Sequence, residues 1–257
     1  MEPLLTVDAI SMIFGGLRAV DSLSMNVMLG EIHSLIGPNG AGKTTVLNVI
    51  SGFYKPTEGK VLFDNKLIQG SNSSTISRAG LARTFQNVRL FKELTVLENV
   101  QIGMYALVKE GIIGTVFHTP YFRKVNKASV EECMALLEMV GLKDKASLRA
   151  RNMSYGQQKV LEIARALAQK PKLLLLDEPA AGLNDTETFE LIKLVRQLQG
   201  KGITVLLIEH NMRLVMNLSD RITVLNFGKK IAEGNPDVIQ NNEEVIQAYL
   251  GKRRAYA

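Results

Sequence analysis

Gly37-Pro38-Asn39-Gly40-Ala41-Gly42-Lys43-Thr44 is the stretch from which the rest of the chain can be read. It fits the pattern G-x-x-x-x-G-K-[ST] in full. The spacing has a mechanical reason. Glycines let the backbone curl so that successive N–H groups turn inward toward phosphate oxygens, and a helix that follows adds its positive end. A lysine at position 43 supplies a point charge for the β- and γ-phosphates, and a threonine at 44 supplies a hydroxyl for Mg²⁺. The alternative, a plain glycine turn, fits the flanks poorly. The aliphatic Glu31 to Ile36 precedes the loop as a strand candidate, and Lys43 to Ser51 follows with a helical pattern.

Upstream, Leu4 to Ile10 and Ala19 to Met28 are short, partly alternating strand candidates punctuated by Gly15-Gly16 and Gly30. Gly59 to Asp64 is another. From about Asn87 to Ala168 the chain becomes mostly helix-like, and Gly103 to Lys127 is its least patterned part. Ser129 to Glu132 has the form of a capping box and predicts a helix start. Val130, Cys133, Leu137 and Val140 continue it as an apolar stripe, with Gly141 placed to end it. Ser154-Tyr155-Gly156-Gln157 has the same form, followed by Val160, Ile163, Ala164 and Leu167 at helical spacing. Beyond Lys172, buried-strand candidates (Leu173 to Asp177, Ile203 to Ile208, Arg221 to Leu225) alternate with an amphipathic segment, Thr186 to Gln199, whose apolar face is Leu191, Leu194, Val195 and Leu198. This alternation predicts an α/β protein with a mostly parallel sheet and helices on both faces. The helical middle reads as an insertion.

Leu173 to Leu176 is a buried run that ends in Asp177-Glu178. In a doubly wound sheet the carboxyl ends of strands are where ligands sit. Asp177 there is a candidate for holding Mg²⁺, and Glu178 for polarising an attacking water. Composition limits the other possibilities. The chain has 257 residues, 46% of them hydrophobic, which excludes a disordered chain and allows a full core. The single Cys133 excludes an internal disulfide framework, and three His with one Cys argue against a structural zinc site. No aliphatic run reaches the roughly 20 residues of a membrane span. Met1 to Phe14 carries Glu2 and Asp8 and no basic flank, unlike a secretory signal. The net charge of +6 is compatible with nucleic acid or an anionic membrane but argues for neither.

Three motifs in order, the phosphate loop, Met153-Ser154-Tyr155-Gly156-Gln157 and Asp177-Glu178, resemble the ATP-binding subunits of ABC transporters. The middle motif is similar to that family's signature, usually Leu-Ser-Gly-Gly-Gln. Met153 and Tyr155 depart from it, while Ser154 and Gly156 remain. The resemblance covers nearly the whole chain. It implies a P-loop NTPase (RecA-like) core with an N-terminal antiparallel β region and an inserted helical subdomain. The core would be residues 1–86 and 169–235, the helical subdomain 87–168, and a helical tail 236–257. It implies that Gly37, Pro38, Asn39, Gly40, Ala41, Gly42, Lys43, Thr44 and Thr45 hold ATP, with Thr44, Asp177 and Gln86 around Mg²⁺. Gln86, in Thr84-Phe85-Gln86, falls at the family's Q-loop glutamine. His210 falls at the switch histidine that bonds the γ-phosphate, and Phe14 where an aromatic ring stacks on adenine. Ala181-Gly182-Leu183-Asn184 looks like the D-loop, with Asn184 in place of the usual Asp.

A finer resemblance is to the LivG-type subunits of branched-chain amino-acid importers. It rests on Phe14 to Leu17, Arg83 to Gln86, the Gly103 to Lys127 insertion, Ser154-Tyr155-Gly156-Gln157, Glu178 to Asn184 and the ending Ala248-Tyr249-Leu250-Gly251. The resemblance to the ABC family as a whole implies hydrolysis of ATP by a head-to-tail pair of subunits, Ser154, Gly156 and Gln157 of one closing on the nucleotide of the other. The implied partners are integral-membrane permease subunits, docking near Asn87 to Lys127, and a second ATP-binding subunit, identical or a paralogue. A periplasmic or extracellular substrate-binding protein takes part indirectly. The implied location is the cytoplasmic face of the membrane, and no nucleic acid is expected. Three alternatives remain: a related lipopolysaccharide-exporter ATPase, a regulatory ATP-binding module, and a nucleic-acid ATPase of the same superfamily. Against the last, the chain has no sustained heptads and only one phosphate loop.

Overall fold

The computed structural model describes residues 2–105 and 120–250. The chain opens with β1 (Pro3–Phe14), β2 (Leu17–Met28) and β3 (Ile32–Ile36), then α1 (Lys43–Ile50), β4 (Glu58–Phe63), β5 (Lys66–Leu67), α2 (Ser73–Arg78) and β6 (Leu81–Arg83). A helical stretch follows: α3 (Val96–Tyr105), α4 (Pro120–Met139) and, after two 3-10 turns, α5 (Tyr155–Leu167). The chain continues with β7 (Leu173–Asp177), α6 (Asp185–Gly200), β8 (Thr204–Ile208), α7 (Met212–Leu218), β9 (Arg221–Asn226), β10 (Lys229–Gly234), α8 (Pro236–Gln240) and α9 (Glu243–Leu250).

Two sheets result. The larger runs β10-β9-β3-β8-β7-β6, with every pair parallel except β10 against β9. Its central strands β3, β7 and β8 are buried along their whole length, which is why they read as unbroken aliphatic runs. The smaller sheet, β2-β1-β4-β5, is antiparallel. One face of the large sheet (Leu35, Leu173, Leu175, Leu206, Ile208) packs on α1 and the small sheet. The other face (Ile32, Leu174, Leu176, Val205, Leu207) packs on α5, α6 and α7. Helices therefore lie on both faces of the large sheet, and the antiparallel strands share one of those faces with α1. A third core joins α3, α4 and α5 through Val100, Leu137 and Leu161. Each such fully buried aliphatic side chain contributes about 1.5–3 kcal/mol of transfer free energy.

Two local expectations are corrected. β1 does not stop at Ile10 but continues to Phe14. The alternation breaks at Ala9, which takes a φ of 48° at a register shift, so a bulge disguised one long strand as a short one. The Ser129 to Glu132 box does not start a helix: α4 is already helical from Pro120. A capping motif caps only where the preceding backbone leaves the helix. The Gly103 to Lys127 insertion falls partly outside the described residues.

Candidate active site

Because β6, β7, β8 and β3 run parallel, their carboxyl ends open on one edge of the sheet. That edge collects the segment after β6 with Gln86, the end of β7 with Asp177 and Glu178, the segment after β8 with His210, and the loop after β3. Residues far apart in sequence meet there for a topological reason.

The loop after β3 is a tight cradle. Gly42 precedes α1 with a φ of 100°, and a Cβ there would lie 2.5 Å from the Ala19 carbonyl oxygen. A Cβ on Gly37 would lie 2.2 Å from the Leu225 carbonyl oxygen. Neither position accepts a side chain. Lys43 is buried, and its Nζ donates to the carbonyls of Gly37 (2.8 Å) and Pro38 (3.0 Å), folding the loop around its own ammonium. Burial lowers its pKa, against the opposing pull of Glu178 and Asp177. A cavity of about 390 Å³ is lined by Asn39 to Thr45, Glu178, Leu17, Arg18, Ala19 and Phe227. A second, of about 350 Å³, adjoins it at Thr44 and is lined by Asp177, Gln86, Arg83, Asn48 and aromatic side chains.

Above the loop, Gln86 Nε2 donates to Glu178 Oε2 at 2.9 Å, and His210 Nδ1 lies 3.6 Å from the same oxygen. Glu178 sits at φ 47°, in the left-handed region that a non-glycine residue enters at a cost of about 1–3 kcal/mol. Such strain accumulates where geometry serves chemistry. Glu209, fully buried, holds this turn. Its carboxylate accepts the N–H of Ala180 (2.8 Å), His210 (3.1 Å) and Asn211 (3.3 Å), so it ties the chain after Glu178 to the chain carrying His210.

Asp177 is buried and paired with Arg83 Nη2 at 3.0 Å. Arg83 Nη1 also donates to Asn48 Oδ1 (2.8 Å) and Ser51 Oγ (2.7 Å) on and beside α1. Thr44, Asp177 and Gln86 border one cavity and offer a hydroxyl, a carboxylate and an amide. Among the described residues, no group of three His, Cys, Asp or Glu side chains converges to hold a metal by itself. That donor set fits Mg²⁺, which prefers oxygen, takes few protein ligands and completes its shell with water and phosphate oxygens.

The signature residues lie elsewhere. Ser154 caps α5: its Oγ accepts Gln157 N–H at 3.3 Å, and Gln157 Oε1 accepts Ser154 N–H at 3.3 Å. Ser154, Gly156 and Gln157 line neither cavity. The Tyr155 departure has a structural place: its ring lies over Lys159 Nζ (5.7 Å to the centroid) and against Gly182, where a Cβ would stand 3.0 Å from the ring. Asn184 caps α6, its Oδ1 accepting Glu187 N–H at 2.9 Å. Phe14 is half exposed and meets Tyr54 edge-on at 5.4 Å between centroids. It does not line the loop cavity, where Leu17 and Phe227 do.

Four side chains escaped the sequence reading: Arg83, Lys159, Glu209 and Phe227. Lys159 is buried and donates to the backbone carbonyls of Gln86 (2.7 Å) and Glu178 (3.3 Å). Its burial lowers its pKa, with Glu162 the first of four carboxylates that resist the shift. Burial raises the pKa of Glu162. For Lys159 the available signal was a charged residue on the flank of the apolar stripe of α5.

A strand, a glycine cradle around a buried lysine, and paired acids at the next strand's end define a P-loop nucleoside triphosphatase. Comparison with known proteins narrows this. The profile of the ABC transporter family matches residues 20–181, and that of a branched-chain amino acid ATP-binding cassette transporter family matches residues 229–255. The chain belongs to the ABC transporter family. It is 47% identical to the high-affinity branched-chain amino acid transport ATP-binding protein LivG of Escherichia coli K12, covering 98% of this chain and 99% of that one. It is 46% identical to BraF of Pseudomonas aeruginosa, a protein of the same description, with the same coverage. A solved ATP-binding cassette of an ABC transporter in its ADP conformation superposes with a TM-score of 0.86 at 36% identity, covering 98% of this chain and 100% of that one. Among the described residues no helix is long and apolar enough to cross a membrane.

Proposed function

We propose that this chain is the ATP-hydrolysing subunit of an importer for branched-chain or related amino acids. The observation that carries the chemistry is the meeting of Gln86, Glu178 and His210 above a phosphate loop folded around Lys43. Glu178 accepts the proton of the attacking water, which Gln86 helps to position. His210 holds a γ-phosphate oxygen, and Lys43 neutralises charge on the β- and γ-phosphates. Thr44, Asp177 and Gln86, which border one cavity, would hold Mg²⁺, and the ion would supply positive charge against the negative charge that develops on the phosphates. Phe14, paired with Leu17 across the β1–β2 turn, takes the base side of the nucleotide.

Ser154, Gly156 and Gln157 act on the nucleotide of a second subunit. A helix N-terminus attracts a γ-phosphate, so ATP joins the pair and phosphate departure loosens it. In this reading residues 87–168 form the helical subdomain and residues 1–86 with 169–235 the core, working on the cytoplasmic face of the membrane. Permease subunits carry the substrate across, and a substrate-binding protein outside delivers it. The branched-chain amino-acid relatives support the importer over the exporter alternative. The test is Glu178→Gln. It is expected to bind ATP normally, lose turnover by about 10²–10⁴-fold, and accumulate a nucleotide-locked dimer in light scattering. Undiminished turnover removes Glu178 from its role.

A further inference from the structure

Helix α5 grips the segment after β6 by its backbone. Lys159, Glu162 and Arg165 recur at every third position and so share one stripe of the helix. Lys159 Nζ donates to the Gln86 carbonyl at 2.7 Å, Glu162 Oε1 accepts the Arg89 N–H at 3.2 Å, and Arg165 donates to the Arg89 carbonyl. Both ends of residues 86–89 are thereby fixed to α5. Lys159 does one thing more: the same ammonium donates to the Glu178 carbonyl at 3.3 Å, across to the end of β7. It is 4% exposed. A buried ammonium is expensive unless its hydrogen bonds are made, and the neighbouring Leu161, Ile163 and Ala164 pack without needing a charge.

We propose that Lys159 is a positioning residue for hydrolysis, pinning the backbones of Gln86 and Glu178 to a single point on α5. The side chains of those two residues meet at 2.9 Å, and Lys159 fixes their carbonyls behind that contact. The inference rests on the proposed function, in which Glu178 activates water. It also gives the two nucleotide sites of a dimer a mechanical link. Ser154, which acts on the partner subunit's nucleotide, lies only about 7.5 Å along the same helix axis from Lys159. A shift of α5 at one site therefore moves the glutamine and carboxylate of the other.

The experiment compares wild type with Lys159→Met, Lys159→Gln and Lys159→Arg in steady-state ATPase assays, equilibrium binding of a fluorescent ADP analogue and thermal melting. Lys159→Met is expected to lower kcat about ten- to a hundredfold, with nucleotide affinity within about twofold of wild type, because no cradle contact is touched. Lys159→Arg, which retains charge and several donors, should recover most of kcat. A merely structural lysine would not separate kcat from affinity in this way. If the methionine variant fails to fold, Lys159→Gln, which keeps two N–H donors, carries the test with an expected fall of about fivefold or more. A folded Lys159 variant with wild-type kcat, or one that loses affinity at constant kcat, overturns the role of Lys159 alone. Absence of ATPase activity in the wild type overturns the proposed function together with it.

Discussion

Arg83 holds the buried Asp177 carboxylate, reaches across to Asn48 and Ser51, and lies against the paired rings of Phe53 and Phe85, 5.6 and 5.2 Å from their centroids. Both members of the ion pair are 7% exposed. Removing one partner of a buried pair leaves an uncompensated charge and costs about 3–5 kcal/mol. Arg83→Met should therefore lower unfolding free energy by about that amount in denaturant titrations. It should also raise the Mg²⁺ concentration needed for half-maximal ATPase, since Asp177 is no longer held in place. A variant as stable as wild type would mean that Asp177 finds another partner. Lys43→Ala should weaken nucleotide binding by more than tenfold in equilibrium titration, the loss of a charge-assisted phosphate contact costing about 1.5–3 kcal/mol. Unchanged affinity would count against the cradle. At this scale the sequence was readable where partners are local. The phosphate loop is one continuous stretch, so its reading needed no fold. Arg83 and Asp177 stand 94 positions apart, and Lys159 and Gln86 73 apart. Such pairs exist only after the sheet brings strand ends together, and nothing in the local pattern announces them.

Helix ends show where local chemistry suffices and where it does not. Ser154 and Asn184 cap α5 and α6 through reciprocal bonds with Gln157 and Glu187, and both boxes lie within a few residues of sequence. Ser129 carries the same signature yet falls inside α4, because helix propagation from upstream overrides a potential start. Asn184, which departs from the usual Asp, is an equivalent cap. Asn184→Ala should cost about 1 kcal/mol in unfolding free energy, whereas Asn184→Asp should cost almost nothing. Equal losses in the two variants would show that the cap is not what Asn184 provides. The two helices are also packed together at this point. A Cβ on Gly156 would lie 2.3 Å from Glu187 Oε1, and Glu187 Oε2 accepts the Asn184 N–H. The signature loop and the cap of α6 therefore share a side chain. The β1 bulge at Ala9 misled in the opposite direction: alternation is the sole local mark of a half-buried strand, and an extra residue erases it.

The whole molecule presents a phosphate cradle at one place and a helix tip, Ser154, that reaches neither cavity around it. In the proposed function one chain carries two halves of a site that it does not close on itself. In that function a head-to-tail pair would close both, each copy offering its cradle to the other's helix tip, and such a two-fold arrangement would use the same surface twice. Complementation tests this. Lys43→Ala disables the cradle but leaves the helix tip intact, while Ser154→Arg blocks the tip and leaves the cradle intact. Pure dimers of either variant contain only spoiled sites. In a mixed dimer, the intact cradle of the Ser154→Arg copy faces the intact tip of the Lys43→Ala copy, and one complete site is restored. An equimolar mixture should therefore hydrolyse ATP faster than either variant alone. Random pairing makes half the dimers mixed with one working site each, which sets the expected rate at about a quarter of wild type. If the site were complete within one chain, mixing would add nothing, and the rate would stay at the average of the two parents.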